Sequence, residues 1–177
     1  MNLPNALSLV RIFLVPVLVV FLIVVPRPYN LTAAAVFLAA VLTDWLDGRI
    51  ARSTRQVTTL GKLLDPVADK LLISASLISL VQVGRVPAWM VVLIVGRDLA
   101  ITGLRGIAAS QNVIIEASDF GKATMIAEVI AVALLILSYP AISVPLGQAA
   151  LLVAIALSLA SGAIYFQKFW RCVDLAK

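Results

Sequence analysis

The sequence predicts an all-α integral membrane protein with six transmembrane helices and a short interfacial segment at its N-terminus. Two observations carry that prediction. The 177-residue chain is 62% hydrophobic and only 13% charged, with a mean hydropathy of +1.08, whereas soluble domains are about a quarter charged. Its apolar runs are also long and divided by short polar connections. Helices that cross a hydrocarbon core of roughly 30 Å need about 20 apolar residues each. Read in such spans, residues 1–177 form one transmembrane domain.

Residues 1–10 hold helix-start signals, Pro4 early and Asn5 as a cap, and predict an interfacial segment leading into span 1. Residues 12–26 carry no charge, with Pro16 as a kink site. This run begins almost at the first residue and lacks a small-residue cleavage site, so no cleavable signal peptide is expected. A turn at 27–30 leads to span 2, which starts near Leu31 and runs into Asp44 and Asp47. A polar connection over 53–60 closes at Gly61, and span 3 carries Asp65 and Asp69 before continuing to Val83. After a turn at 84–87, span 4 reaches Ala109 and includes Arg97, Asp98 and Arg105. Residues 110–120 form the next polar connection, with Asp119 placed to cap span 5. Residues 129–167 hold no charge, too long a stretch for one span, and Pro140 with Pro145 marks the break between spans 5 and 6.

Basic residues orient these spans. With the N-terminus in the cytoplasm, Arg49, Arg52, Arg55, Lys62, Arg105, Lys122, Lys168, Arg171 and Lys177 lie at or near the cytoplasmic side. Only Arg27 and Arg85 lie opposite. The net charge of +5 is thus a topology signal, and no nucleic-acid partner is expected. The predicted location is a cell (inner) membrane, multi-pass, with both termini and the aspartate site cytoplasmic. Trp45, Trp89, Tyr139, Tyr165 and Trp170 fall near span ends, as interface aromatics do. A single cysteine, Cys172, excludes an internal disulfide. The chain has no histidine, so acid–base work falls to carboxylate, lysine or tyrosine.

Asp44, Asp47, Asp65 and Asp69 supply four of only nine acidic residues. Spacings of three and four put each pair on one helical face. Four carboxylates converging on one spot repel unless cations sit among them, and hard oxygen ligands suit Mg²⁺, Mn²⁺ or Ca²⁺. This predicts a two-metal site; the alternative is capping and pairing with Arg49, Arg52 and Lys70. Small residues at Gly48, Ala51 and Gly61 leave room for a flat or bulky group near the backbone, or serve close helix packing. Arg97 and Arg105, eight apart on span 4, with Lys122 at the start of span 5, predict a phosphate site. The alternative pairs Arg97 with Asp98 or Glu128 and leaves Arg105 and Lys122 as topology markers.

The run Asp44-x-x-Asp47-Gly48-x-x-Ala51-Arg52-(x)8-Gly61-x-x-x-Asp65-x-x-x-Asp69 resembles, at every fixed position, the signature of the CDP-alcohol phosphotransferases. Asn2, Pro4, Asn5 and Arg11, the run Gly96-Arg97-Asp98 with Arg105, and Phe120-Gly121-Lys122 are similar to the family's bacterial phosphatidylglycerophosphate synthase branch. The resemblance implies a homodimeric six-helix bundle in the lipid bilayer, with a polar cavity facing the cytoplasm. It implies transfer of a phosphatidyl group from CDP-diacylglycerol to glycerol 3-phosphate, with release of CMP. It further implies that Asp44, Asp47, Asp65 and Asp69 hold two divalent cations, Mg²⁺ or Mn²⁺, and that Asp69 is the general base. Gly48, Ala51, Arg52 and Gly61 would line the cytidine diphosphate pocket, and Arg97, Arg105 and Lys122 would bind the acceptor's phosphate. Two alternatives remain at this point. One is another acceptor, such as inositol phosphate or phosphatidylglycerol. The other is a small cation-coupled transporter, which would spread its carboxylates through the membrane depth.

Overall fold

Apolar runs punctuated by glycine, proline and polar residues fold into six helices in the computed structural model. It describes the backbone of residues 3–24, 31–54, 59–110, 119–137 and 143–174, and the side chains of 8–24, 31–43, 67–109, 121–137 and 144–170. In order these are α1 (Leu3–Ile23), α2 (Leu31–Thr54), α3 (Thr59–Gln82), α4 (Ala88–Ser110), α5 (Asp119–Leu137) and α6 (Ser143–Asp174). Helix number and order match the sequence expectation. Among the described residues the predicted N-terminal segment is continuous with span 1, α1 running unbroken from Leu3 through Pro16. Pro4 sits in the first turn, where its missing N–H removes no helical hydrogen bond, and nothing else there stops the helix. Pro145 likewise falls in the first turn of α6.

The α3–α4 turn shows how local chemistry ends a helix. Gly84 adopts φ +74°, its N–H donates to Val81 O at 3.0 Å, and the Arg85 N–H donates to Leu80 O at 2.9 Å. This is a Schellman closure, in which the residue after the helix must enter the left-handed region that glycine tolerates best. The side chain of Arg85 then crosses to α5, where Nη1 donates to Leu135 O at 3.1 Å and Ile136 O at 3.2 Å. These carbonyls belong to the last turn of α5, the end of a helix that favours a cation. Gln148 Nε2 on α6 returns a 2.8 Å bond to Arg85 O. The α3–α4 turn, the end of α5 and the start of α6 are thus locked together at one end. Burial there pushes the Arg85 guanidinium below its ordinary value.

Close packing joins α5 to α6 at Gly147, which is buried. A Cβ on it would stand 2.7 Å from Leu135 Cγ and 3.2 Å from Leu135 N. Leu18, Leu22, Phe37, Leu77, Leu80, Ile94, Leu135 and Leu151 belong to one apolar core shared by α1 through α6.

Around that core the polarity is inverted. Ser8, Arg11, Ser76, Ser79, Asp98, Thr124, Glu128, Ser158 and Ser161 are buried, whereas Phe13, Leu31, Ile78, Val92, Leu99, Ile126, Val153 and Trp170 are exposed. Water-soluble domains sort the two classes the other way. Among the described residues one helical stretch, Val144–Trp170, is long and apolar enough to cross a membrane, with a hydropathy of 2.2. The described apolar parts of α1 and α2, Ser8–Ile23 and Leu31–Thr43, are shorter.

Candidate functional site

The signature falls on two consecutive helices. Asp44, Asp47, Gly48, Ala51 and Arg52 lie on α2, and Gly61, Asp65 and Asp69 on α3. Of these, only the Asp69 side chain is among the described ones; the other seven side chains lie outside them. Backbone register still says something definite. Asp44 stands ten residues before the end of α2 at Thr54, and Asp69 ten residues after the start of α3 at Thr59. Asp47 stands seven before and Asp65 six after. Both pairs therefore lie in the halves of α2 and α3 nearest the α2–α3 connection. Four hard carboxylates on two successive helices are of a donor type that suits divalent cations.

Directly beyond Asp69 the described side chains form a charged network across three helices. Lys70 Nζ on α3 donates to Asp98 Oδ2 on α4. Arg97 Nη1 donates to Asp98 Oδ1 at 2.9 Å, Arg97 Nε to Ser158 O at 3.1 Å, and Arg97 Nη2 to Ser161 Oγ at 2.9 Å. Asp98 therefore uses both carboxylate oxygens, and Arg97 uses three of its five N–H groups. Glu128 on α5 is buried within electrostatic reach of Asp98, Lys70, Arg97 and Asp69. A groove of about 340 Å³ between α3 and α4 opens beside the Lys70–Asp98 pair, walled by Val67, Leu71, Leu99 and Thr102.

Further along α4, Arg105 stands over the Tyr165 ring of α6, 5.4 Å from its centre. Arg97 against Ser158 and Ser161, and Arg105 against Tyr165, advance together along both chains, so α4 and α6 run parallel and both arginines face α6. The expectation that they share a face holds. Lys122 is exposed in the first turn of α5, which packs on α6 as α4 does. The three cations thus sit on the two helices that pack against α6.

Sequence reasoning missed two features. Lys70 pairs with Asp98, a residue 28 positions away. Tyr165 is not an interface aromatic, because its ring is buried beneath Arg105. Trp89 and Trp170 are exposed as expected, while Trp45, Tyr139, Glu116 and Cys172 lie outside the described side chains. The available signal for Lys70 was its place directly after a signature aspartate inside an apolar helix.

Comparison with known proteins adds the wider frame. Residues 1–160 match the family profile described as CDP-alcohol phosphatidyltransferase. The chain is 40% identical over 190 residues to the CDP-diacylglycerol–glycerol-3-phosphate 3-phosphatidyltransferase of Bacillus subtilis (strain 168), covering 97% of each protein. Proteins of the same name are 35% identical in Pseudomonas fluorescens, over 96% of this chain and 91% of that one, and 32% identical in Rickettsia bellii, over 94% of each. A signature met at every fixed position, carried on two successive helices and matched along nearly the whole chain, has one reading: the chain belongs to the CDP-alcohol phosphatidyltransferase family.

Proposed function

We propose that the chain is a membrane-embedded transferase that moves the phosphatidyl group of CDP-diacylglycerol to sn-glycerol 3-phosphate, giving phosphatidylglycerophosphate and CMP. The observation that supports it most is the likeness along nearly the whole chain to proteins that bear that activity in their names, with the signature carried on α2 and α3. The distribution of polarity supports the membrane setting: apolar side chains face out from every helix, and Arg11, Asp98 and Glu128 are held inside. Six spans follow if α3 and α4, whose apolar runs are interrupted by Lys70, Arg97 and Asp98, carry those charges through lipid as the internal network. The cytoplasmic ends are then the α2–α3 and α4–α5 connections and both termini, and the enzyme works as a homodimer in the cell membrane.

In this reading Asp44, Asp47, Asp65 and Asp69 hold two divalent cations, Mg²⁺ or Mn²⁺, which when bound offset the charge of the diphosphate. Gly48, Ala51 and Gly61 let the cytidine diphosphate approach the backbone, and Arg52 neutralises its phosphates. Arg105 and Lys122 hold the acceptor's phosphate, together with the two N–H groups of Arg97 that its three hydrogen bonds leave over. The acceptor hydroxyl attacks the phosphorus that carries the lipid. Its proton passes to the Asp69 carboxylate, a new P–O bond forms, and the bond to CMP breaks. An apolar outer surface lets the lipid tails remain in the bilayer while the head group enters the polar interior.

Radiolabelled glycerol 3-phosphate tests the acceptor. Label should enter a chloroform-soluble product only when CDP-diacylglycerol and divalent metal are both present. Label left in the aqueous phase, with CMP released to inositol phosphate instead, would change the acceptor and keep the family.

A further inference from the structure

Asp98 is 6% exposed and serves two cations at once, Lys70 through Oδ2 and Arg97 through Oδ1. Lys70 follows Asp69 directly in α3. Arg97 is fastened on its far side by Ser158 and Ser161 of α6. An unbroken line of hydrogen bonds therefore runs from the residue beside Asp69, through one carboxylate of α4, to α6. We propose that Asp98 is a positioning residue for phosphatidyl transfer, fixing the spacing between Asp69 and the acceptor-phosphate cation Arg97. This rests on the transferase reading above.

Stability alone does not account for the arrangement. Desolvating a carboxylate and two cations costs about as much as their attraction returns, and apolar residues of similar volume commonly replace such groups without loss. Lys70 also has an alternative in reach, since 37% of its side chain is exposed. Asp98 draws it inward instead and orients α3 at its catalytic turn.

Glu128 completes the cluster. Its Oε1 is buried and has no hydrogen-bond partner among the described residues, although Lys70, Arg97, Asp98 and Asp69 all act on it. Only Asp98 is bonded to both cations. Glu128 lies beside the cluster, and Asp98 supplies its geometry. With Asp98 replaced by an amide, the charge that holds the two cations at their present spacing is lost. Displacements of about 1 Å at a reacting centre can cost on the order of 100-fold in rate.

The test is steady-state CMP release by detergent-purified wild type, Asp98→Asn, Asp98→Glu and Lys70→Gln, each normalised to monodisperse protein. Asp98→Asn should lower kcat by roughly 10- to 100-fold and raise KM for glycerol 3-phosphate, with KM for CDP-diacylglycerol little moved. Asp98→Glu should recover a large part of kcat. Lys70→Gln cuts the same line from the α3 side, and should lower kcat without raising KM for glycerol 3-phosphate. That variant carries the test alone if Asp98→Asn does not fold. A purely structural role would reduce the yield of monodisperse protein and leave kcat and both KM values of the remainder near wild type; that result overturns the proposal. Wild type that releases no CMP overturns the transferase reading, and the inference with it.

Discussion

The guanidinium carbon of Arg105 lies 5.4 Å from the centre of the Tyr165 ring. The ring is buried, its hydroxyl has no hydrogen-bond partner among the described residues, and Arg105 itself is exposed. An aromatic face beneath an arginine is worth about 0.5–2 kcal/mol, and here it restrains a long side chain that remains exposed.

Arg105 should therefore act as a held phosphate ligand. Arg105→Ala is expected to raise KM for glycerol 3-phosphate roughly 10- to 100-fold, the value of one or two charge-assisted bonds. Tyr165→Leu, which removes the aromatic face and keeps the arginine, should raise it by a smaller factor, about 2- to 20-fold. Initial-rate kinetics with varied acceptor check both, and an unchanged KM in both variants would remove Arg105 from the acceptor site.

Gly147 should not tolerate a side chain. A Cβ there meets Leu135 at 2.7 Å, and its backbone nitrogen at 3.2 Å, so rotating the leucine alone does not relieve the clash. Gly147→Ala is expected to destabilise the α5–α6 pair by about 1–3 kcal/mol, the usual cost of overpacking. A lowered thermal midpoint in detergent is the readout.

At the α3–α4 turn, Arg85 joins the last carbonyls of α5 to α6. Arg85→Met leaves Leu135 O and Ile136 O without this donor and should cost about 1.5–3 kcal/mol. Because the turn lies at the end away from the signature, kcat per folded molecule should hold while the thermal midpoint falls.

Much of this architecture was legible beforehand, and the reasons are local. Apolar runs ended by a turn residue such as Gly84 or a proline give helix number and order, because one residue type decides each break. Pro4 was readable on the same rule as a start signal, and it sits in the first turn of α1. The signature was readable because its spacing is intrahelical, 44 to 47 and 65 to 69. What joins different helices was not. Lys70 finds Asp98 and Tyr165 finds Arg105 only once α3, α4 and α6 are packed, and a periodic pattern tells which face is apolar without telling which helix will cover it. Arg97 had Asp98 and Glu128 as equal prospects in the sequence; packing gave it Asp98 together with two serines of α6.

Metal dependence follows if the four aspartates of α2 and α3 hold the cations, as proposed. EDTA should abolish CMP release, and Mg²⁺ or Mn²⁺ should restore it. Asp44→Asn or Asp65→Asn should raise the metal concentration needed for half-maximal rate, since each removes a charged oxygen ligand.

Asp69→Asn bears most directly on the whole account. The variant should remain folded and helical, because an amide replaces a carboxylate of the same shape. Release of CMP from CDP-diacylglycerol in the presence of glycerol 3-phosphate and Mg²⁺ should fall by about 100-fold or more, as expected when a positioned general base is lost. Release at the wild-type rate by the folded variant would contradict the central claim, that transfer takes place where α2 and α3 bring the four aspartates together.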